Sequence, residues 1–125
     1  MAVKGFENLI VWQRAMELMK ESYGAAAKLP LGERHGLVDQ MRRSALSVPA
    51  NIAEGHGRGH LGDYLHHLSI ASGSLAELRT LLLAAECLGY IPHRQLARPL
   101  ALAEETARML LSLRTALRRR RSPPP

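Results

Sequence analysis

The chain has 125 residues, 46% of them hydrophobic but only 4% aromatic. That suits one domain with a substantial helical core built on alanine and leucine, and it argues against an aromatic-rich β-sandwich; no uninterrupted apolar run of about 18 residues is present to span a membrane. The net charge of +6 is concentrated late, because Arg114, Arg118, Arg119, Arg120 and Arg121 lie beyond the last acid, Glu105, and 12 basic residues against 11 acidic ones precede them.

Met1-Ala2-Val3-Lys4-Gly5 leads directly into a charged segment, so no signal peptide is expected and a reducing cytoplasm is the expected location. Leu9, Trp12, Ala15, Met16, Met19, Tyr23 and Ala26 then recur at three- and four-residue intervals. They predict helix one over about 8–28, with that set as its apolar face and Pro30 and Gly32 as its stop.

Leu37, Met41, Ala45 and Val48 begin a second stripe, and Ile52 continues it beyond Pro49. A proline in a helix interior removes one hydrogen bond and crowds the preceding turn, a cost of roughly 3 kcal/mol. Two readings fit: a kinked helix two over about 33–54, or a helix that ends at Ser47 and restarts. The unbroken register favours the kink. Gly55, Gly57 and Gly59 then supply a stop and a turn.

Helix three, over about 61–88, has the cleanest pattern. Leu61, Leu68, Leu75 and Leu82 are seven apart, with Tyr64, Ala71, Leu78 and Ala85 in the seam between them, as in bundles packed near 20°. Cys87 falls in this apolar pattern and is expected to be a buried, inert thiol. After Gly89-Tyr90-Ile91-Pro92, Leu96, Ala103, Leu110 and Leu117 mark helix four over about 93–119. Pro99 would lie in its second turn, so either the helix begins later or it bends there. Residues 122–125 read as a disordered proline-rich tail, leaving 1–121 as a single domain.

Short connections between long helices force antiparallel neighbours. The expected fold is therefore an all-α, up-down-up-down four-helix bundle with helix two kinked at its proline. Leu81, Leu82 and Leu83 in helix three, and Met109, Leu110, Leu111 and Leu113 in helix four, exceed what one core can cover. That surplus predicts a homo-oligomer.

The run Ser47-Val-Pro-Ala-Asn-Ile-Ala-Glu-Gly-His-Gly-Arg58 sits between Gln40-Met-Arg-Arg-Ser-Ala45 and Ile70-Ala-Ser-Gly-Ser-Leu-Ala-Glu-Leu78. With the opening Phe6-Glu-Asn-Leu-Ile-Val-Trp-Gln-Arg-Ala15, it resembles a bacterial family of four-helix bundle proteins encoded inside intervening sequences of large-subunit ribosomal RNA genes. The resemblance covers about Phe6 to Ile91, and the last helix matches only in being helical. It implies a ring-shaped homo-oligomer, a pentamer, and marks Pro49, Asn51, Glu54 and Gly55 as family-motif residues. It implies no chemistry. A more distant similarity links the chain to accessory proteins of the reverse transcriptases of diversity-generating retroelements.

Candidate chemistry is sparse. His56 and His60 are four apart but separated by Gly57, and adjacent His66 and His67 point about 100° apart on a helix, so solvated histidines are expected and no metal site. Ser72-Gly73-Ser74 is no nucleophile elbow, and no phosphate-cradling glycine loop or cofactor motif exists. Glu54 is expected to pair with Arg58, and Asp39 with Arg43, while Asn51 is placed to bond a carbonyl freed at the proline. The chain therefore reads as a non-enzyme.

Arg118 to Arg121 admits two readings: a solvated helix end favoured by the helix dipole, or a nucleic-acid-binding patch. We expect a homo-oligomeric bundle that associates with RNA or DNA backbone through Arg114, Arg118, Arg119, Arg120 and Arg121, with Arg42 and Arg58 as secondary candidates. The alternative is a protein-binding or structural ring, such as an accessory subunit for a reverse transcriptase or another partner.

Overall fold

The computed structural model describes residues 5–121, all of whose regular structure is helical. Four helices, α1 (Ile10–Ala26), α2 (Leu37–Gly57), α3 (Leu61–Cys87) and α4 (Ala97–Arg121), form a bundle, with single 3₁₀ turns at Phe6–Asn8, Leu31–Glu33 and His93–Gln95. Contacts between helices run in opposite senses. Ser47 meets Ser74 while Asn51 meets His67; Arg14 meets Glu105 while Arg98 meets Glu17 and Glu21. The expected tail at 122–125 lies outside the described residues.

The buried stripe of α1 overlaps the expected face only in part, sharing Ala15 and Ala26 with it. Val11, Ala15, Leu18, Ser22, Ala25 and Ala26 are buried, whereas Trp12, Met19 and Tyr23 pack against the core only in part. Small Ala15, Ser22 and Ala25 let the helix seat closely, which turns the bulkier strip outward. In α3 and α4 the heptads hold. Leu68, Leu75, Leu82, Ala71, Leu78 and Ala85 are core residues, as are Leu96, Ala103, Leu110 and Leu117.

Helix α2 runs without interruption through Pro49, which is itself buried. Its ends differ from expectation. It starts at Leu37 rather than near 33, because Pro30 opens a separate 3₁₀ turn, and the Leu37 N–H reaches Glu33 Oε1 at 3.4 Å. It also continues through Gly55 to Gly57. The chain breaks at Gly59, whose φ of +70° is one that residues with a Cβ rarely adopt. Helix α4 starts at Ala97 after the 3₁₀ turn, so Pro99 is its third residue, where no intrahelical partner is lost.

Helix α3 is long and apolar enough to cross a bilayer by length and composition, although its most apolar window contains charges, and its heptad face is spent on the core. Its last residue, Cys87, corrects the expectation of a buried thiol: it is exposed, because the stripe Leu78, Leu82, Ala85 faces inward and Cys87 falls outside it. Beyond it Gly89 (φ +78°) closes the helix, with the Tyr90 and Ile91 N–H groups both donating to Ala85 O. Tyr90 Oη then donates to Glu33 Oε2 at 2.9 Å, tying the α3–α4 connection to the α1–α2 connection.

Helix α2 approaches α3 tightly at Gly55. A Cβ added at Gly55 would lie 2.7 Å from His67 Cβ and 3.1 Å from Tyr64 Cδ1, whereas one added at Gly24 in α1 meets nothing within 4 Å. Gly55→Ala should therefore destabilise by about 1–3 kcal/mol. Gly24→Ala, at a helical position with open space, should stabilise by about 0.4–1 kcal/mol. Urea denaturation of both variants checks the pair; equal effects would show that α2 and α3 do not touch at Gly55.

Candidate nucleic-acid interface

The C-termini of α2 and α4 and the N-terminus of α3 meet at one end of the bundle. Gly55, His56, Gly59, His60, Leu61 and Tyr64 form one wall of a notch of about 220 Å³, and Leu117 and Arg120 form the other. Leu117 is buried and fixes the last turns of α4, while Arg118, Arg119 and Arg120 are exposed around it. The dipole of α4 favours this cluster, since the helix C-terminus carries partial negative charge.

Each neighbour of the cluster has a local role. Arg58, the C-cap residue of α2, is held by Glu54 at 3.1 Å, so its charge is largely spent within the turn. His60 caps α3, its Nδ1 accepting the Asp63 N–H at 3.2 Å. The His56 ring stands edge-on to Tyr64 at 5.7 Å. Burial pushes the Tyr64 phenol above its ordinary pKa, and the positive charge of Arg120 pulls it part of the way back.

The structure does not gather every candidate arginine here. Arg114 is half-buried one turn earlier and turns to α3, its guanidinium donating to Ser72 Oγ at 3.1 Å. Arg42 is in the first turns of α2, about 22 Å from the basic end along the helix. Its guanidinium lies 5.5 Å from the Tyr23 ring centre, which occupies it in a cation–π contact. The side chain expected to pair with Arg43 does not: Asp39 lies 3.8 Å from His35 instead, on the same exposed flank.

The motif residues form a polar joint between α2 and α3. Asn51 Nδ2 donates to Ser47 O at 2.9 Å and to Ser47 Oγ at 3.0 Å, and Ser47 Oγ bonds Ser74 Oγ at 2.8 Å. The bonded carbonyl is that of Ser47, two residues before Pro49, and not that of Ala45, whose helical donor the proline lacks. Asn51 Oδ1 and His67 Nδ1 are 3.0 Å apart, and Glu54 Oε2 is 3.5 Å from the same nitrogen. His67 is therefore not a solvated histidine: its side chain is 13% exposed. It lies two turns before Ser74 on α3, but only the register between α2 and α3 shows that both face Ser47 and Asn51. Among the described residues no group of three or more His, Cys, Asp or Glu side chains is placed to hold a metal.

The family model described as 23S rRNA-intervening sequence protein matches residues 7–112. The match reaches through much of α4, further than Ile91, but stops before Arg114. The fold is similar to the crystal structure of a protein of unknown function from the S23 ribosomal protein family of Bacteroides thetaiotaomicron VPI-5482. The TM-score is 0.76 at 23% sequence identity, covering 83% of this chain and 97% of that one. No curated protein matches the sequence.

The coupling of Arg120 to Tyr64 tests whether the basic end is assembled as described. Removing a cation beside a phenol disfavours the phenolate, so Arg120→Gln should raise the Tyr64 pKa further, whereas Arg119→Gln should leave it in place. NMR titration of the Tyr64 ring reads this directly. An unmoved pKa in Arg120→Gln would place that guanidinium away from the notch.

Proposed function

This chain belongs to the 23S rRNA-intervening sequence protein family, and on that premise we propose that it is a non-enzymatic homo-oligomer that docks on RNA or DNA backbone through the arginine-rich end of α4. The observation that carries the reading is the exposed cluster Arg118, Arg119 and Arg120 around buried Leu117, in a segment with no acid after Glu105. Cations so placed attract phosphates and release counterions from them, which gives salt-dependent affinity without sequence preference. With only one Phe, one Trp and three Tyr in the chain, base stacking contributes little, and structured RNA or duplex suits this surface better than an unpaired strand.

Self-association is part of the proposal. Ile10, Leu83 and Leu111 are 57%, 49% and 60% exposed, and Met16, Met19 and Tyr23 line an apolar groove along α1. Surfaces of that kind are normally covered. The number five rests on family resemblance. In a cyclic ring whose axis follows the bundle, every copy would present its α4 end on one rim, which multiplies the local positive potential. Cytoplasmic location, where both nucleic acid and reduced thiols are present, fits the same reading. The exposed apolar flank also suits a second reading, a ring that engages a partner protein such as a reverse transcriptase.

Two measurements decide between them. Deleting residues 118–125 should leave the fold intact, since Leu117 is the last buried residue described, and should remove most affinity for RNA or duplex DNA. The slope of log affinity against log salt should flatten by roughly 0.9 for each phosphate that the shortened chain no longer neutralises. Equal binding by the truncated chain would move the interface to the body of the bundle, and no binding by either at low salt would favour the protein-partner ring. Light scattering coupled to size exclusion should give a multiple of the 13.8 kDa chain mass; a monomer at micromolar concentration would reject assembly.

A further inference from the structure

Four arginines in the body of the bundle are each paired with acids. Arg14 meets Glu17 and Glu105, Arg98 meets Glu17 and Glu21, Arg58 meets Glu54, and Arg108 meets Glu104, at distances from 2.9 to 3.4 Å. The seam between α3 and α4 breaks that pattern. Arg79 and Arg114 line one notch there with Ser72, against an apolar wall that includes Leu75, Ala107 and Leu111. Among the described residues no ion pair joins either arginine to a carboxylate.

Arg114 is unusual in a second way. Arginines without an acid elsewhere, such as Arg34, Arg43, Arg94 and Arg119, are exposed to water, whereas Arg114 is half-buried. Its Nε is shielded from solvent and has no acceptor. A guanidinium drawn partly out of water without a counter-charge is unfavourable, and a second guanidinium in the same notch adds repulsion. An anion between them reverses both terms.

The geometry also selects the anion. Ser72 Oγ accepts from the Arg114 guanidinium at 3.1 Å, which leaves the hydroxyl proton to donate outward. Two guanidinium groups and one hydroxyl line the same notch, a donor set with more N–H and O–H groups than a planar carboxylate can use and one that suits a tetrahedral phosphoryl group. The notch, about 220 Å³, is below the roughly 300–1,000 Å³ of pockets that enclose whole organic ligands, so it receives an ion or a single group.

We infer that Arg79, Ser72 and Arg114 form a receiving site for a phosphate-type oxyanion on the α3–α4 seam. The phosphate comes either free from solution or from a nucleic-acid backbone. Arg114 precedes Arg118 by one helical turn, so a strand docked on the basic end passes within reach of the seam. The site itself does not depend on the nucleic-acid reading; only the second source does.

The test is NMR of the arginine Nε–Hε groups in the full chain, titrated with inorganic phosphate against chloride at constant ionic strength. Arg79 and Arg114 should shift saturably while Arg119 does not saturate. Arg114→Gln should weaken phosphate roughly tenfold or more, the loss of charge-assisted hydrogen bonds, and Arg79→Gln, an exposed substitution that leaves the core untouched, should weaken it too. Absence of saturation, or unchanged affinity in both variants, overturns the site. A short RNA duplex then distinguishes the sources. Displacement of phosphate from Arg114 by RNA assigns the backbone; RNA binding that leaves the phosphate-loaded Arg114 signal unmoved assigns free phosphate. If phosphate saturates the site and RNA does not bind at all, the seam site stands and the nucleic-acid reading fails.

Discussion

Close approach of α2 to α3 is the constraint on which the bundle depends. Gly55 leaves room for the backbone of one helix against Tyr64 and His67 of the other, and the polar set Ser47, Asn51, His67 and Ser74 bonds across the gap that remains. Each bond alone contributes on the order of 1 kcal/mol, but each also satisfies a partly buried group that would be costly unpaired. Their spacing fixes which turn of α2 faces which turn of α3, where apolar packing alone would tolerate a slip. The proline belongs to the same arrangement: Pro49 is buried between Val48 and Ile52 in the stripe, and Asn51 adds a side-chain bond to the turn beside it.

The seam between α4 and α1 is bridged differently. It is crossed by Arg14–Glu105 and by Arg98 with Glu17 and Glu21, surface ion pairs of the kind that contribute about 0–1 kcal/mol each. The Arg14 guanidinium is held above its usual range chiefly by its bond to Glu105, with the charges of Glu17 and Glu105 adding to it. Arginine thus plays three parts in one small fold: cross-seam clamp, partner of Glu54 at the end of α2, and exposed positive charge at the end of α4.

Much of the architecture was legible in the sequence because it rests on large residues at regular intervals. The heptads of α3 and α4 and the stripe of α2 are such signals, and they located the core correctly. Where small residues share the core, the signal was weaker. In α1 the expected face is correct at Ala15 and Ala26 and holds in part at Leu9, Trp12, Met19 and Tyr23, but the buried stripe also takes Val11, Leu18, Ser22 and Ala25, which lay outside it. Gly55 looked like a stop because glycine usually is one; its role in close packing depends on a facing helix that no local pattern reveals. Asn51 was identifiable as a bonding residue beside a proline, and the Glu54–Arg58 pair from its spacing, but His67 required the register between two helices.

The exposed position of Cys87 has a practical consequence. It is the chain's only cysteine, and it lies at the far end of a 27-residue helix from the basic notch, about 40 Å away by helical rise. A maleimide dye or nitroxide attached there would sit remote from Arg118–Arg120, whereas Arg79 of the α3–α4 notch lies only about 12 Å back along the same helix. In an assembly each copy would carry one such reporter on the opposite rim, so label-to-label distances would measure the symmetry of the ring without touching its charged face.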